Sequence, residues 1–472
     1  MIVHAGVSFD KTLQDWEGFG FNYVETAQTI DYSLDPQDYG GFSLMTEEKK
    51  LEIIDLIFGE NGLKPGVIKM FLDPFHQKEN NLNLPGLENI DERLYDHKTS
   101  VRNIVDFVKR GCEETKKRGE TLKIVTTLYG PPPFMTKQKI MRGRDLDPAF
   151  MEEYAKYAVS WAKWLRKEGL PICFISLHNE GEDYHRWPED GKDGNIGTGH
   201  DYNLYWPPKM LAEFLVLVRK TLDAAGLHDV GVTPGETTNW TRFYNWGYAD
   251  AICDIPGAVE SLGLITSHGF SAGAPGLRWH GDHRSSGQDA LTKIRPDLHT
   301  WVTSTSWATM DAKFVYQIHG NIYGAKSNAI IPWAGIQRPV CWVGGDPNPG
   351  NAIQVAEDGS YIIRDGYYYY KQVTSAGRSG MKISKAYATA GECCAIAFAK
   401  GNTQYPNAFV LVNCSENEAL FDVEISGSNA KLFSVYITDK KRKYAALPDA
   451  EKKNGKVEIL LSPNSVCTLI EK

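Results

Sequence analysis

His178-Asn179-Glu180 directly follows a short apolar run at 172–177 (ICFISL), and its residue types are the ones in this chain best suited to chemistry. A glutamic acid held protonated by its surroundings can protonate a departing glycosidic oxygen, with a second carboxylate acting across the sugar. Glu180 supplies that acid, and Asn179 before it can bond the sugar 2-hydroxyl. Asn-Glu pairs are common in chains of this length, so position gives this one its weight. In a (β/α)8 barrel the active site is built at the C-terminal ends of the strands. The same criterion singles out Glu236, in Pro234-Gly235-Glu236, which can bond the sugar or hold a neighbouring side chain. It also singles out His268 and Trp333 after the sixth and eighth runs, while Tyr129, Trp240 and Trp301 are candidates for stacking on a sugar or for packing under a loop.

The elements that must position these residues alternate along the chain. Apolar runs at 16–22, 66–71, 122–127, 172–177, 230–233, 262–267, 298–303 and 329–333 number eight. Their unbroken apolar character fits strands buried on both faces of a parallel sheet. Helical spacing recurs between them, as in Val101, Ile104, Val105 and Val108, or Tyr154, Tyr157, Trp161, Trp164 and Leu165. Leu211, Phe214, Leu215, Val218 and Leu222 repeat it, as do Phe314, Ile318 and Ile322. Eight strand-then-helix units predict a (β/α)8 barrel of class α/β over 16–380. Beyond Gly380 the helical period gives way to short alternating strands at 394–399, 408–413, 419–425, 431–437, 456–461 and 465–470, which predict an antiparallel β-sandwich over 381–472. Residues 1–15 are too few for a domain and are expected to add a strand to that sandwich.

Composition narrows the classes. The 472 residues are 42% hydrophobic and 23% charged, the balance of a folded protein. A net charge of −8 argues against nucleic acid as a partner. No apolar run approaches the roughly 20 residues of a membrane span. The first residues, MIVHAG, carry neither a basic n-region nor an apolar h-region, so the expectation is a cytoplasmic protein, or a secreted one whose signal is absent from this sequence. Eight dispersed cysteines show no metal-ligand spacing and read as free thiols. The 11% aromatic content suits a sugar site and a large core equally.

Four segments carry a resemblance. Trp16-Glu17-Gly18-Phe19-Gly20 resembles the opening of glycoside hydrolase family 30, a retaining β-glycosidase family of clan A. Residues 128–135 (LYGPPPFM) resemble its third-strand loop, Asn179-Glu180 its acid/base motif, and 461–466 (LSPNSV) its last sandwich strand. The resemblance spans nearly the whole chain and implies a barrel with a side β-sandwich, a carbohydrate or glycoside substrate, and no metal or organic cofactor. It also implies that Glu180 is the general acid/base and that His268 and Trp333 line the sugar subsite.

The chain departs from this pattern at one position. The family carries its nucleophilic Glu after strand seven within Trp-x-Thr/Ser-Glu, and here the residues are Trp301-Val302-Thr303-Ser304. Ser304 stands where the carboxylate belongs. Asp297 precedes the strand and Asp311 lies in the helix behind it, so neither replaces it. A serine with no adjacent base is a poor nucleophile toward an anomeric carbon. The resemblance therefore implies a nucleophile-substituted retaining glycosidase, hydrolytically inactive or competent as a glycosynthase. A carbohydrate-binding pseudoenzyme is the alternative. An aldolase or metal-dependent barrel finds no lysine or His/Asp cluster at the strand ends.

Overall fold

A computed structural model of the chain describes residues 1–26, 38–80, 84–186, 202–271, 280–305, 310–333, 335–338 and 352–472. Eight parallel strands form its centre: β1 (Gly18–Asn22), β2 (Val67–Leu72), β3 (Lys123–Leu128), β4 (Ile172–Ser176), β5 (Gly231–Thr233), β6 (Ile265–Ser267), β7 (Thr300–Thr305) and β8 (Ala329–Pro332). Each pairs with its sequence neighbour from β1 to β5 and from β6 to β8, and β8 pairs back onto β1. The remaining gap, between β5 and β6, is bridged at Val232–Leu262 and Thr237–Ser267, and Gly263 N–H donates to the Val232 carbonyl at 2.7 Å. Two glycines permit that approach: a Cβ on Gly263 would stand 2.6 Å from the Gly231 Cα. The result is an eight-stranded parallel near-barrel.

Position along each strand decides which core it joins. A cluster made only from the strands and their immediate starts fills the barrel: Val67, Val125, Leu264, Trp301, Ala329 and Ile331, with Phe174 packed against it. Helices cover the outside with the faces their spacing predicts. Arg102–Lys117 buries Ile104, Val105, Phe107 and Val108, and Met151–Lys167 buries Tyr154, Tyr157, Trp161 and Leu165. Pro208–Ala224 and Ala312–Tyr323 do the same, and Asp365–Ala376 contains the run of four tyrosines. After β5 the helical part is split into Trp240–Asn245, Tyr248–Asp254 and Ala258–Ser261.

The C-terminal part is a separate, mostly strand module in which nine strands make one continuous sheet. The N-terminal strand Ile2–Asp15 is third from one edge of it, antiparallel to Lys382–Ala388 and parallel to Ala419–Ser426. One face of this sheet encloses its own core, including Val3, Phe9, Phe409, Phe421, Phe433 and Leu469. Lys382–Ala388 and Ala445–Glu451 are strands that alternation in the sequence does not reveal. Most residues of each are at least partly exposed, and the second, an edge strand, contains Pro448. Among the described residues no helix is long and apolar enough to cross a membrane.

Candidate active site

Glu180 follows β4 by four residues and has a left-handed backbone, φ 46°. Single non-glycine residues in that region need surroundings that hold them. Two backbone bonds do so: Glu180 N–H donates to the Glu236 carbonyl at 2.7 Å, and Glu236 N–H donates to the His178 carbonyl at 2.9 Å. The turns after β4 and β5 are thus laced together. Gly235, at φ 90°, lies against the His178 ring so closely that a Cβ there would be 2.1 Å from it. His178 accepts the Gly181 N–H on Nδ1 at 3.0 Å, and burial pushes its pKa down to about 4.

A second clamp acts just beyond the candidate acid. Glu182, fully buried, accepts from Thr238 N–H at 2.9 Å, Thr238 Oγ1 at 2.6 Å and Arg242 Nη1 at 2.9 Å. The Arg242 guanidinium also lies 4.4 Å from the Trp246 ring centre. These contacts tie the segment bearing Glu180 to the first helix after β5.

The side chains converge on one array. His268, after β6, presents Nδ1 to Glu180 Oε1 at 2.9 Å and Nε2 to Glu236 Oε2 at 3.0 Å. Glu236 also accepts from Thr127 Oγ1 at 2.6 Å and is ion-paired with Lys69, both partners being fully buried. Lys69 reaches the Thr303 carbonyl at 3.3 Å, one residue before Ser304. A continuous polar chain therefore runs from Glu180 through His268, Glu236 and Lys69 to β7. Burial opposes ionisation of Glu236, but Lys69 and His268 overcome it and bring the carboxyl down to about 2. For His268, burial favours the neutral ring, and the contacts with Glu180 and Glu236 outweigh it, leaving the pKa raised. Glu180 keeps 12% of its side chain exposed, whereas Glu236 keeps none.

The structure divides the expected residues into groups. Glu180, His268 and Glu236 come together, and of its two expected roles Glu236 takes that of holding its neighbours. Asn179 is buried beside them with its amide 3.4 Å from Asn203 Oδ1. Ser304 is buried near the end of β7. Trp333 joins a cluster at the start of the loops, with Val24, Tyr39, Phe71, Tyr129 and Tyr202. Tyr129 is fully buried and stacked on Phe71 at 4.5 Å, which makes it a backing layer rather than a sugar platform. Of the two expectations for Trp240 and Trp301, burial agrees with packing and not with stacking on a sugar. Trp240 is fully buried and donates Nε1–H to Asn321 at 2.9 Å, and Trp301 fills the barrel against Phe174. An aromatic beside a strand reads the same in sequence whether it stacks or packs.

Sequence reasoning missed Lys69, although a lysine inside the apolar run GVIKMF is a signal, because a charge buried there needs a partner. It also missed the buried group on the loop after β2. There His76 Nδ1 faces His97 Nδ1 at 2.8 Å, His97 Nε2 faces Ser160 Oγ at 3.1 Å, and Ser100 Oγ meets His76 Nε2 at 3.0 Å. These contacts staple the loop at 76–100 to the helix Met151–Lys167. Most of the loop at 181–206, which follows Glu180, lies outside the described residues. Among the described residues no group of three or more His, Cys, Asp or Glu side chains is arranged to hold a metal ion.

No protein-family model matches this chain, and no curated protein sequence matches it. Solved structures do. The catalytic domain of a glycoside hydrolase family 30 xylanase C from Talaromyces cellulolyticus superposes with a TM-score of 0.72 at 16% identity, covering 99% of this chain and 100% of that one. A family 30 endoxylanase from Clostridium papyrosolvens gives 0.68 at 15%, with coverage of 99% and 100%. An endo-β1,6-glucanase gives 0.66 at 14%, with coverage of 99% and 94%. Over nearly its whole length, barrel and β-module together, this chain has the fold seen in family 30 glycoside hydrolases.

Proposed function

We propose that this chain is a retaining β-glycosidase scaffold in which Glu180 is the general acid/base and Ser304 replaces the nucleophile. The observation that carries this reading is the carboxylate of Glu180, partly exposed at the end of β4 and held by His268. The shared fold with xylanases and an endo-β1,6-glucanase supports a β-linked carbohydrate as substrate. The nine-stranded module is read as the side β-sandwich of that architecture, its single sheet curled around one core.

Retaining hydrolysis needs a carboxylate to form the glycosyl-enzyme and an acid to release the leaving group. Ser304 removes the first half and leaves the second. Shortening a Glu to a hydroxymethyl group opens space on the α-face of the sugar, enough for the fluorine of an α-glycosyl fluoride. In the reaction so permitted, C1–F breaks as an acceptor hydroxyl attacks C1, and Glu180, ionised, takes the hydroxyl proton. Fluoride departs beside Ser304, whose hydroxyl can hydrogen-bond it. The β-glycoside formed is not cleaved again, because the covalent route is closed. The serine equally suits a protein that only binds carbohydrate, and the same assay separates the two readings. The chain is incubated with α-glucosyl, α-galactosyl and α-xylosyl fluorides plus an aryl glycoside acceptor, and fluoride release is followed. Product that disappears in Glu180→Gln supports the enzyme. Product that persists there removes Glu180 from the base role, and none from any donor favours binding alone.

A further inference from the structure

An ionised carboxylate only accepts hydrogen bonds, whereas a neutral imidazole has one N–H and one bare nitrogen. Glu236 is fully buried, receives the Thr127 hydroxyl and is paired with the Lys69 ammonium, so it stays ionised. His268 Nε2, 3.0 Å from that carboxylate, must therefore carry a proton. What remains is the contact of Nδ1 with Glu180 Oε1 at 2.9 Å, and it has room for one proton. That proton sits on the ring, giving imidazolium beside carboxylate, or on Glu180, giving a neutral ring beside a carboxylic acid. With no proton at all, a nitrogen lone pair would face a carboxylate and the contact would open.

We propose that Glu180 and His268 hold one mobile proton between them, with Glu236 and Lys69 locking the ring so that His268 is the positioning partner that stores the proton used by Glu180. The inference rests on reading Glu180 as the acid/base. In the transfer, the Nδ1–H bond breaks as Oε1–H forms, and an ion pair becomes two neutral groups with no other reactant. Glu180 is then a base when the proton rests on the ring and an acid when the proton has crossed. The groups that act on the ring come from four strands: Glu180 and His178 from the end of β4, Glu236 from β5, Lys69 from β2, and Phe270, edge-on at 5.6 Å, from the segment after β6 itself. The raised His268 pKa agrees with a ring stabilised in its charged form.

The test reads the proton directly. The full chain is labelled with 15N-histidine, and the ring nitrogens are followed by NMR against pH, the His268 signals being those lost in His268→Gln. Nε2 should stay protonated throughout, while Nδ1 titrates with a midpoint above that of an ordinary histidine. Glu180→Gln, which keeps the size but not the charge, should lower that midpoint by a unit or more, a tenfold loss of proton affinity. Glu180→Asp, which keeps the charge but shortens the reach, should give a value in between. Identical midpoints in all three chains, or an Nε2 that deprotonates first, would overturn the proposal. The spectra need no turnover. If they behave as expected but glycosyl transfer survives Glu180→Gln, the acid/base reading fails while the shared proton stands.

Discussion

The N–H of Glu180 donates to the carbonyl of Glu236 at 2.7 Å, so the candidate acid is held by the backbone of the residue whose side chain anchors its histidine. One peptide contact thus fixes both ends of the Glu180–His268–Glu236 array. Disturbing the turn after β5 is transmitted to Glu180 without any change in the residue itself.

Lys69 is the first place where this connection can be broken. Lys69→Met leaves Glu236 charged and fully buried without its cation, and removing one partner of a buried pair costs about 3–5 kcal/mol. Urea unfolding should show a lower midpoint with little change in slope. A shift below about 1 kcal/mol would mean that water or a neighbouring cation compensates Glu236.

Arg242 tests the second clamp. Arg242→Ala strands the buried carboxylate of Glu182 and releases Trp246. On a background with a carboxylate restored at 304, displacement of Glu180 by about 1 Å should cost on the order of 100-fold in kcat. Steady-state kinetics should show the loss mainly in kcat, with Arg242→Lys recovering part of it. An unchanged kcat would detach this clamp from the chemistry.

Two groups of the array act oppositely with pH. The His268 pKa is raised, so its contribution to stability is fully present below about 6.5 and is lost as pH rises through its folded value. Glu236 is lowered to about 2, so its contribution is present above about 4.5 and is lost as pH falls toward that value. Thermal melts across this range should show Tm declining on both flanks. His268→Gln should abolish its own part of the alkaline decline, and a variant curve parallel to the parent's would contradict the assignment.

The strands of the barrel were legible because residues buried on both faces give unbroken apolar runs, and all eight stand within about three residues of where the sequence puts them. Helices were legible through their spacing. The two extra strands of the β-module were not: Lys382–Ala388 is paired on both sides but buries only two of its seven residues, and Ala445–Glu451 is an exposed edge strand with a proline, so neither shows an apolar alternation. At the candidate site, Glu180 was singled out by its place after a strand. The Glu182–Arg242 pair was not, because sixty residues separate its members and nothing local marks either one. For Trp240 and Trp301 the sequence left stacking and packing open, because only the folded chain shows that the first ring is buried against Asn321 and the second fills the barrel.

A crystal structure of Ser304→Glu gives a geometric check. The carboxyl groups of residues 180 and 304 should lie about 5–5.5 Å apart, the retaining separation, and a value of about 6.5–9.5 Å would instead indicate an inverting arrangement.

In the proposed function, one missing carboxylate separates this chain from a working hydrolase. Hydrolysis of a panel of aryl β-glycosides should be measured for the chain as it stands and for Ser304→Glu. Near-background rates for the first, with a gain on the order of 10⁴-fold or more in the second on at least one substrate, are the expected result. Turnover of about 1 s⁻¹ or faster by the serine-bearing chain, or no gain from the restored carboxylate on any substrate, would contradict it.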